Sequence, residues 1–303
     1  MTFLWQPCTG GARILRVLGD SPCPVIPEEI DGLPVTELGP YCFAMRPVEE
    51  GRIWPVGSEE NHEVTGEFLE EAILPDTLRV LHSAAFYNCR KLRRIEVGPN
   101  LESLGSDLFT NCRALRTFAL RASPAAGTGL KKLLGAVSAD IEVEFLDAPG
   151  VRLFYPEYFE LLDENTPAHI FNRSIEGEGY RMRQCFAGSA VDYAAYDATF
   201  AQACVGESED KLCRLALGRL LFPFALQDNA RTDYEFYLTA HPAAAFGWAI
   251  QERNEAALRL LASLGLAVRD AASQCARAGW SAGAAILLAR PKRAAKQYDF
   301  DDL

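Results

Sequence analysis

The sequence contains few of the groups that hold metals or phosphates. Its four histidines are scattered, no CxxC or HxxxH spacing occurs, and no glycine-rich phosphate loop follows a predicted strand. We therefore expect no bound metal and no cofactor. Basic residues are also in the minority, with 30 Lys and Arg against 41 Asp and Glu and a formal net charge of -11. Because such a chain offers no large basic footprint to a phosphate backbone, we expect no nucleic-acid partner.

Long apolar runs are absent as well. No segment reaches the roughly 18 apolar residues that a membrane span needs, and the first residues show no basic stretch ahead of an apolar one. We therefore expect a cytoplasmic protein with no membrane partner. The nine cysteines are odd in number and occur in a long chain, which favours reduced thiols over a disulfide framework.

A repeat with a period of 23 residues runs through residues 69–120. Residues 69–91 align with residues 92–114, and a third copy begins at Leu115. The aligned pairs are Leu69 with Leu92, Ala72 with Ile95, Leu74 with Val97, Leu78 with Leu101, Leu81 with Leu104, Phe86 with Phe109, Asn88 with Asn111 and Cys89 with Cys112. A fixed period in this range is the signature of a solenoid, whose units bury their apolar faces by stacking.

Each unit combines two short extended segments with a tight turn. Residues 92–97 alternate apolar and polar side chains as a strand does, and residues 101–104 form the second extended segment. A turn over 106–112 should then place Phe109 and Cys112 in the interior of the solenoid.

This pattern resembles the BspA-like leucine-rich repeat family, in which a phenylalanine is followed three residues later by a cysteine and then by a leucine that opens a strand. Phe86 to Cys89 and Phe109 to Cys112 fit this pattern, and residues 25–39 resemble the opening repeat of the family. The resemblance covers about residues 14–120. It implies a solenoid with a binding role, and since repeats of this family often occur on cell-surface adhesins, an adhesin-type role is an alternative.

The array departs from the family pattern near its start. An insertion at about residues 46–66 interrupts it, and Cys42 precedes Phe43 instead of following it. The insertion carries Trp54, an aromatic side chain of the kind that anchors partners at interfaces. The alternative is that Trp54 only attaches the loop to the solenoid.

The outward side chains of the stacked strands form the predicted partner surface. If the strands run in parallel, Glu71 and Ile73 of one unit line up with Arg94 and Glu96 of the next, followed by Thr117. Glu71 and Arg94 would then be lateral neighbours, and such a pair contributes only about 0.2–1 kcal/mol. Partner binding through this face and Trp54 is one interpretation, and a solvated face with compensating charges is the other.

Composition divides the chain at a run of small residues over 122–129. We predict a leucine-rich repeat domain over 1–121, a mixed α/β connector over 122–190 and an all-α domain over 191–303. In the all-α part, residues 254–261 recur 26 residues later, which weakly resembles ankyrin-like helical repeats over about 240–290.

The connector contains the polar residues that could support an enzyme. We expect a helix over 156–164 whose carboxylates Glu157, Glu160 and Glu164 share one face. The segment at 155–185 is the place for an unrecognised site, near Tyr180, Arg181 and Arg183.

The sequence as a whole predicts an α+β protein, with a short leucine-rich repeat solenoid, a small mixed connector and a helical-repeat carboxyl-terminal domain. Two repeat-type modules in one chain favour binding over chemistry. We therefore expect a non-catalytic scaffold that binds a protein partner through the strand face and the 46–66 loop, with an enzyme of unknown class as the alternative.

Overall fold

The described chain begins with strands and ends with helices. The structure, a computed structural model, describes residues 1–55, 62–148, 150–165, 170–266 and 268–289. The strands are β1 (Thr2–Cys8), β2 (Gly11–Leu18), β3 (Glu29–Ile30), β4 (Leu33–Leu38), β5 (Arg52–Pro55), β6 (Glu71–Ile73), β7 (Val80–Leu81), β8 (Arg94–Val97), β9 (Ser103–Leu104), β10 (Thr117–Leu120), β11 (Ile141–Phe145), β12 (Val151–Tyr155), β13 (Phe159–Asn165), β14 (Ile170–Glu176), β15 (Phe186–Ala187) and β16 (Ala190–Val191). The helices are α1 (Leu130–Gly135), α2 (Gly179–Met182), α3 (Tyr193–Ala198), α4 (Phe200–Gly206), α5 (Glu209–Leu221), α6 (Asp228–Ala240), α7 (Pro242–Gln251), α8 (Glu255–Ser263), α9 (Val268–Arg277) and α10 (Ser281–Leu288). This distribution confirms the predicted α+β fold class.

Two sheets run along the repeats and form the predicted solenoid. In sheet A the strand order is β5-β1-β2-β4-β7-β9, with β3 paired to β4, and in sheet B the order is β12-β11-β10-β8-β6. Successive repeats pair in parallel, as β6 does with β8 and β8 with β10. The repeats that contain β6 and β8 each place their second extended segment, β7 or β9, in sheet A.

Ladders of aromatic rings and thiols fill the interior of the array. Phe43, Phe86 and Phe109 stack with ring centroids 5.1 and 5.7 Å apart. The thiol of Cys89 donates a hydrogen bond to the Phe43 carbonyl at 3.2 Å, and Cys112 donates to the Phe86 carbonyl at 3.0 Å. All five side chains are buried, so the same pair of contacts ties each coil to the preceding one.

The amino-terminal strands extend the array beyond its first coil. β1 and β2 form an antiparallel hairpin, and Gly10 takes the left-handed conformation that its turn requires. β2 pairs in parallel with β4, which carries the hairpin onto sheet A. From the insertion, β5 pairs antiparallel with β1, so the inserted residues form the outer strand of this sheet.

A carboxylate in β4 forms a polar cluster on sheet A. Glu37 accepts a hydrogen bond from Arg13 Nε at 2.6 Å, and its Oε2 lies 2.7 Å from His82 Nε2. Burial alone would raise the pKa of Glu37, but the hydrogen bonds with His82 and Arg13 outweigh burial and hold this pKa below its ordinary value of 4.5.

The predicted helix over 156–164 is wrong. Residues 159–165 form β13, which pairs antiparallel with β14 in a separate hairpin. Successive side chains of the strand, such as those of Phe159, Glu160 and Leu161, point to opposite faces. Pairing with β14 stabilises this extended conformation more than the contacts within one isolated turn would stabilise a helix. Glu157 precedes the strand, so the carboxylates do not share a helix face.

The carboxyl-terminal region is mostly helical, as predicted. Two helical hairpins, α7 with α8 and α9 with α10, repeat with a 26-residue offset. Arg253 and Gly279 are both left-handed at the turns, and the next residue in each turn, Asn254 or Trp280, donates its N–H to the carbonyl of Ala249 or Cys275. The sequence repeat is therefore a repeat of helix–turn–helix geometry.

A buried ion pair joins α3 to α5. Both oxygens of Asp197 accept hydrogen bonds from Arg219, at 2.6 and 2.9 Å, and Tyr234 donates to the same carboxylate at 2.8 Å. The two charged side chains are 3% or less exposed. Arg219 also donates to the carbonyls of Phe222 and Phe224, so its remaining hydrogen-bonding capacity is largely satisfied.

Candidate functional site

Sheet B brings five of the six predicted site residues onto one surface. Glu71, Arg94 and Thr117 lie in one lateral row, and Ile73 and Glu96 lie in the next. The rows continue to both sides, through residues 23 and 25 before β6 and through β11 and β12 after β10. We call this surface the strand face, and its side chains are Cys23, Val25, Glu71, Ile73, Arg94, Glu96, Thr117, Ala119, Glu142, Glu144, Arg152 and Phe154.

The predicted neighbours Glu71 and Arg94 lie in register, but Arg94 pairs elsewhere. Its guanidinium forms a short ion pair with Glu144 and lies 3.8 Å from Glu96. Because β10 lies between β8 and β11, the pair with Glu144 crosses that strand. Ala119, in β10 between Glu96 and Glu144, is fully buried although its side chain points outward. Its small side chain leaves room for the crossing pair.

A continuous ion network covers the carboxyl-terminal half of the strand face. It alternates four acidic residues with four arginines, so its charges balance. The order along the network is Asp76, Arg121, Glu96, Arg94, Glu144, Arg152, Glu142 and Arg214. At one end, burial would lower the pKa of Arg121, but its hydrogen bonds with Asp76 and Glu96 outweigh burial and raise this pKa. The network therefore holds its charges internally.

Helix α5 packs against the β12 edge of this half of the face. Arg214 of α5 donates to Glu142 at 3.0 Å and places its guanidinium 3.9 Å from the centre of the Phe154 ring. Phe154 is buried although it lies in the same row as Glu142. Of the predicted contacts, Arg94 and Glu96 are therefore engaged in the ion network, and Thr117 lies in the row between Arg94 and Glu142.

The amino-terminal half of the strand face remains open. Val25 is 49% exposed and forms a parallel bridge with the partly exposed Ile73. Cys23 lies beside Glu71, because the Pro22 carbonyl accepts the Glu71 N–H. Partial burial raises the pKa of the Cys23 thiol, and the nearby Glu71 carboxylate adds to the rise. This half thus combines an apolar pair with acidic neighbours, and we call it the open half.

Trp54 lies apart from the strand face. It belongs to β5 of sheet A, opposite Phe3 of β1, and its partly buried ring packs against the core. The adjacent Ile53 is exposed. The arrangement has the geometry of a tryptophan that attaches the insertion to the solenoid. Residues 56–61 of the insertion lie outside the described residues.

The segment at 155–185 contains a buried cation with a structural role. Arg183 donates hydrogen bonds to the carbonyls of Val137, Ala139, Pro156 and Gly179. Burial lowers its pKa. The guanidinium therefore ties α2 to the end of α1 and the start of the β13–β14 hairpin.

The other two basic and aromatic candidates in this segment are also engaged. Arg181 pairs with Glu178 at 2.9 Å, and the Tyr180 ring lies edge-on against Tyr158. A shallow groove of about 490 Å³ lies nearby, between residues 135–138 and residues 158–161.

The described ranges contain neither a metal-binding cluster nor a membrane-spanning helix. Within them, no three His, Cys, Asp or Glu side chains are grouped so that they could hold a metal ion. In the same ranges, no helix has both the length and the apolar character needed to cross a bilayer.

Sequence reasoning missed most of the ion network because its members come from separate elements. The arginines come from three places: Arg121 follows β10, Arg152 lies in β12, and Arg214 lies in α5. One signal was available in the sequence, since Glu142 and Glu144 alternate with the apolar Ile141, Val143 and Phe145, and in a strand such alternate residues share a face.

Comparison with known proteins places the repeat in a family. Residues 64–126 match the model of the BspA type leucine rich repeat region (6 copies). Among solved structures, the chain resembles the crystal structure of a T. pallidum leucine rich repeat protein at 21% identity, over 39% of this chain and 68% of that chain, with a TM-score of 0.24. No curated protein matches the chain.

The family match defines the class of the repeat segment. Residues 64–126 are a leucine-rich repeat region, and its type is that of the BspA repeats, as the Phe–Cys spacing predicts. The first coil lies ahead of the matched residues, but Phe43 of that coil stacks on Phe86 as Phe86 does on Phe109.

Proposed function

We propose that the protein is a non-catalytic scaffold that binds a protein partner through the open half of the strand face. One observation carries the proposal. The exposed Val25 and the partly exposed Ile73 form an apolar pair on a face whose other half is neutralised by the ion network and packed against α5 at its β12 edge. Exposed apolar side chains rimmed by polar groups are typical of protein contact sites.

The open half favours a partner with a particular chemistry. Glu70 and Glu71 border the apolar pair, and the chain as a whole is acidic. Arg93 balances part of this charge, at 2.7 Å from Glu70 and 3.9 Å from Glu71. We expect a partner that inserts an apolar side chain between flanking Lys or Arg residues, since complementary charges speed association and set orientation.

The 46–66 insertion extends this surface in our proposal. Its last residues reach the segment that leads to the open half, because Gly19 donates to the His62 carbonyl and Val64 donates to the Val17 carbonyl. Trp54 would hold the insertion in place, and the exposed Ile53 beside it would contact the partner. The stacked helical hairpins, which resemble ankyrin-like repeats, would form a second binding module.

An adhesin-type role is the second candidate, and the BspA type repeat match favours it. Cell fractionation separates the two, because a scaffold of the predicted kind stays in the cytoplasm and an adhesin appears outside it. The expected absence of nucleic-acid and membrane partners stays a prediction from the sequence.

The test is capture of a partner by the full chain from a lysate of its own host. Wild-type protein and the variants Val25→Arg and Ile73→Arg are immobilised in equal amounts. A matched control is Val205→Arg, which places the same charge on an exposed apolar position of α4. We expect wild type and the control to retain one partner that both open-half variants lose. Capture that is absent, or equal in all four samples, would overturn the proposal.

A further inference from the structure

The last described turn of the array borders an open groove. In the described chain, β9 is the final strand of sheet A, whereas sheet B continues through β10, β11 and β12. The step between the two sheets leaves a groove of about 940 Å³ between residues 102–113 and residues 135–139. The groove lies where the next coil of a longer array would stack.

Hydrogen bonds between successive turns show what that next coil would supply. Ala84, Phe86 and Asn88 donate their backbone N–H groups to the carbonyls of the following turn. The acceptors are Ser106 at 2.9 Å, Leu108 at 3.2 Å and Thr110 at 2.9 Å. One coil earlier, Phe43 donates to Ala85 in the same way, at 2.8 Å. Each turn thus presents a row of donors toward the carboxyl-terminal end of the array.

The last turn has the same conformation but lacks its acceptors. Asp107 and Asn111 have φ values of 55° and 63°, as their equivalents Ala84 and Asn88 have 57° and 62°. By this equivalence the N–H groups of Asp107, Phe109 and Asn111 point into the groove. None of the three has a hydrogen-bond acceptor among the residues that the structure describes. A row of unpaired donors at the edge of a regular array is a template for another chain.

An apolar surface lies beyond the second wall of the groove, residues 135–138. Residues 135–138 border this groove and also the shallower one at the base of the β13–β14 hairpin. On that hairpin Phe159 is 56% exposed and Leu161 is also exposed. The donor row and the exposed apolar side chains therefore lie on either side of one short segment.

We propose that this groove binds an extended peptide segment of another protein, by backbone carbonyls at alternate residues and by an apolar side chain placed on Phe159 and Leu161. A helix cannot take this place, because helical carbonyls are already paired within the helix. A second copy of this chain, approaching by the same edge, would place N–H groups against N–H groups. The site is separate from the open half of the strand face, and it adds a main-chain mode of recognition to the scaffold.

The experiment selects linear peptides from a phage-displayed random library against the full chain. Amide hydrogen exchange is then measured with and without a selected synthetic peptide. We expect exchange at Asp107, Phe109 and Asn111 to be fast in the free chain and slow in the complex, whereas Ala84 and Phe86 are protected in both. A library that yields no binder, or binders that leave exchange at the three donors unchanged, would overturn the proposal.

Variants locate the bound peptide. Phe159→Asp should weaken binding at least about tenfold, as loss of an aromatic anchor does. The matched control Phe236→Asp changes an exposed phenylalanine of α6 that lines neither this groove nor the shallower one beside it, and it should bind normally. Equal affinities of these two variants would contradict the apolar contact. Ile73→Arg, a variant of the open half, should also bind the peptide normally. Peptide binding at the groove is therefore tested independently of the scaffold proposal.

Discussion

Arg94 and Glu144 should be energetically coupled across the strand that separates them. Their side chains are 26% and 17% exposed, between the conditions of a surface pair and those of a buried one. Surface pairs couple by about 0.2–1 kcal/mol, and breaking a buried pair costs about 3–5 kcal/mol. We therefore expect a coupling of about 1–2 kcal/mol, because Arg152 and Glu96 compensate part of each lost charge.

The assay is a double-mutant cycle in urea. Free energies of unfolding are measured for wild type, Arg94→Ala, Glu144→Ala and the double variant, with equal m-values as a check on comparability. The control pair is Arg90 and Glu67, which lie 3.3 Å apart on adjacent coils with side chains 55% and 60% exposed. It should couple by at most about 0.5 kcal/mol. If the coupling of the crossing pair is no larger than that of the control pair, the interpretation that the small Ala119 leaves room for a stabilising ion pair is refuted.

The remaining predictions concern the array and the helical region. Leu81→Ala should lower the free energy of unfolding by about 2–5 kcal/mol, because Leu81 is fully buried. The equivalent Leu104→Ala should lower it less, because Leu104 lies partly exposed at the open groove. Unfolding in urea compares the two variants. Asp197→Ala should cost about 3–5 kcal/mol, since it leaves the buried Arg219 unpaired, and a loss below about 1 kcal/mol in thermal melts would contradict the pair. Glu37 has a lowered pKa in the folded state, so its stabilisation is present above pH 4.5 and is lost as the pH falls through the folded pKa. Glu37→Gln should accordingly flatten the acid side of the stability–pH curve, and an unchanged slope below pH 4.5 would contradict this.

The repeat could be predicted from the sequence because its period constrains every position. The alignment of Phe86 with Phe109 and of Cys89 with Cys112 fixes which side chains meet inside, and the structure stacks them in that register. The helices of the last third were also predictable, since their apolar stripes and short connections are local patterns.

The failures lie where a partner distant in sequence decides the outcome. Residues 159–165 form a strand because residues 170–176 pair with them, which helix-favouring local cues cannot show. Arg94 was expected to pair with its lateral neighbour Glu71. Its crossing pair depends on Glu144, 50 residues away, and helix α5 contributes Arg214 still further along the chain.

The central claim, that the open half of the strand face is the partner site, is tested most directly by affinity. The captured partner is purified and titrated calorimetrically against wild type, Ile73→Arg and Val205→Arg. The account predicts at least about tenfold weaker binding for Ile73→Arg and unchanged binding for Val205→Arg. Equal affinities for all three chains would contradict it.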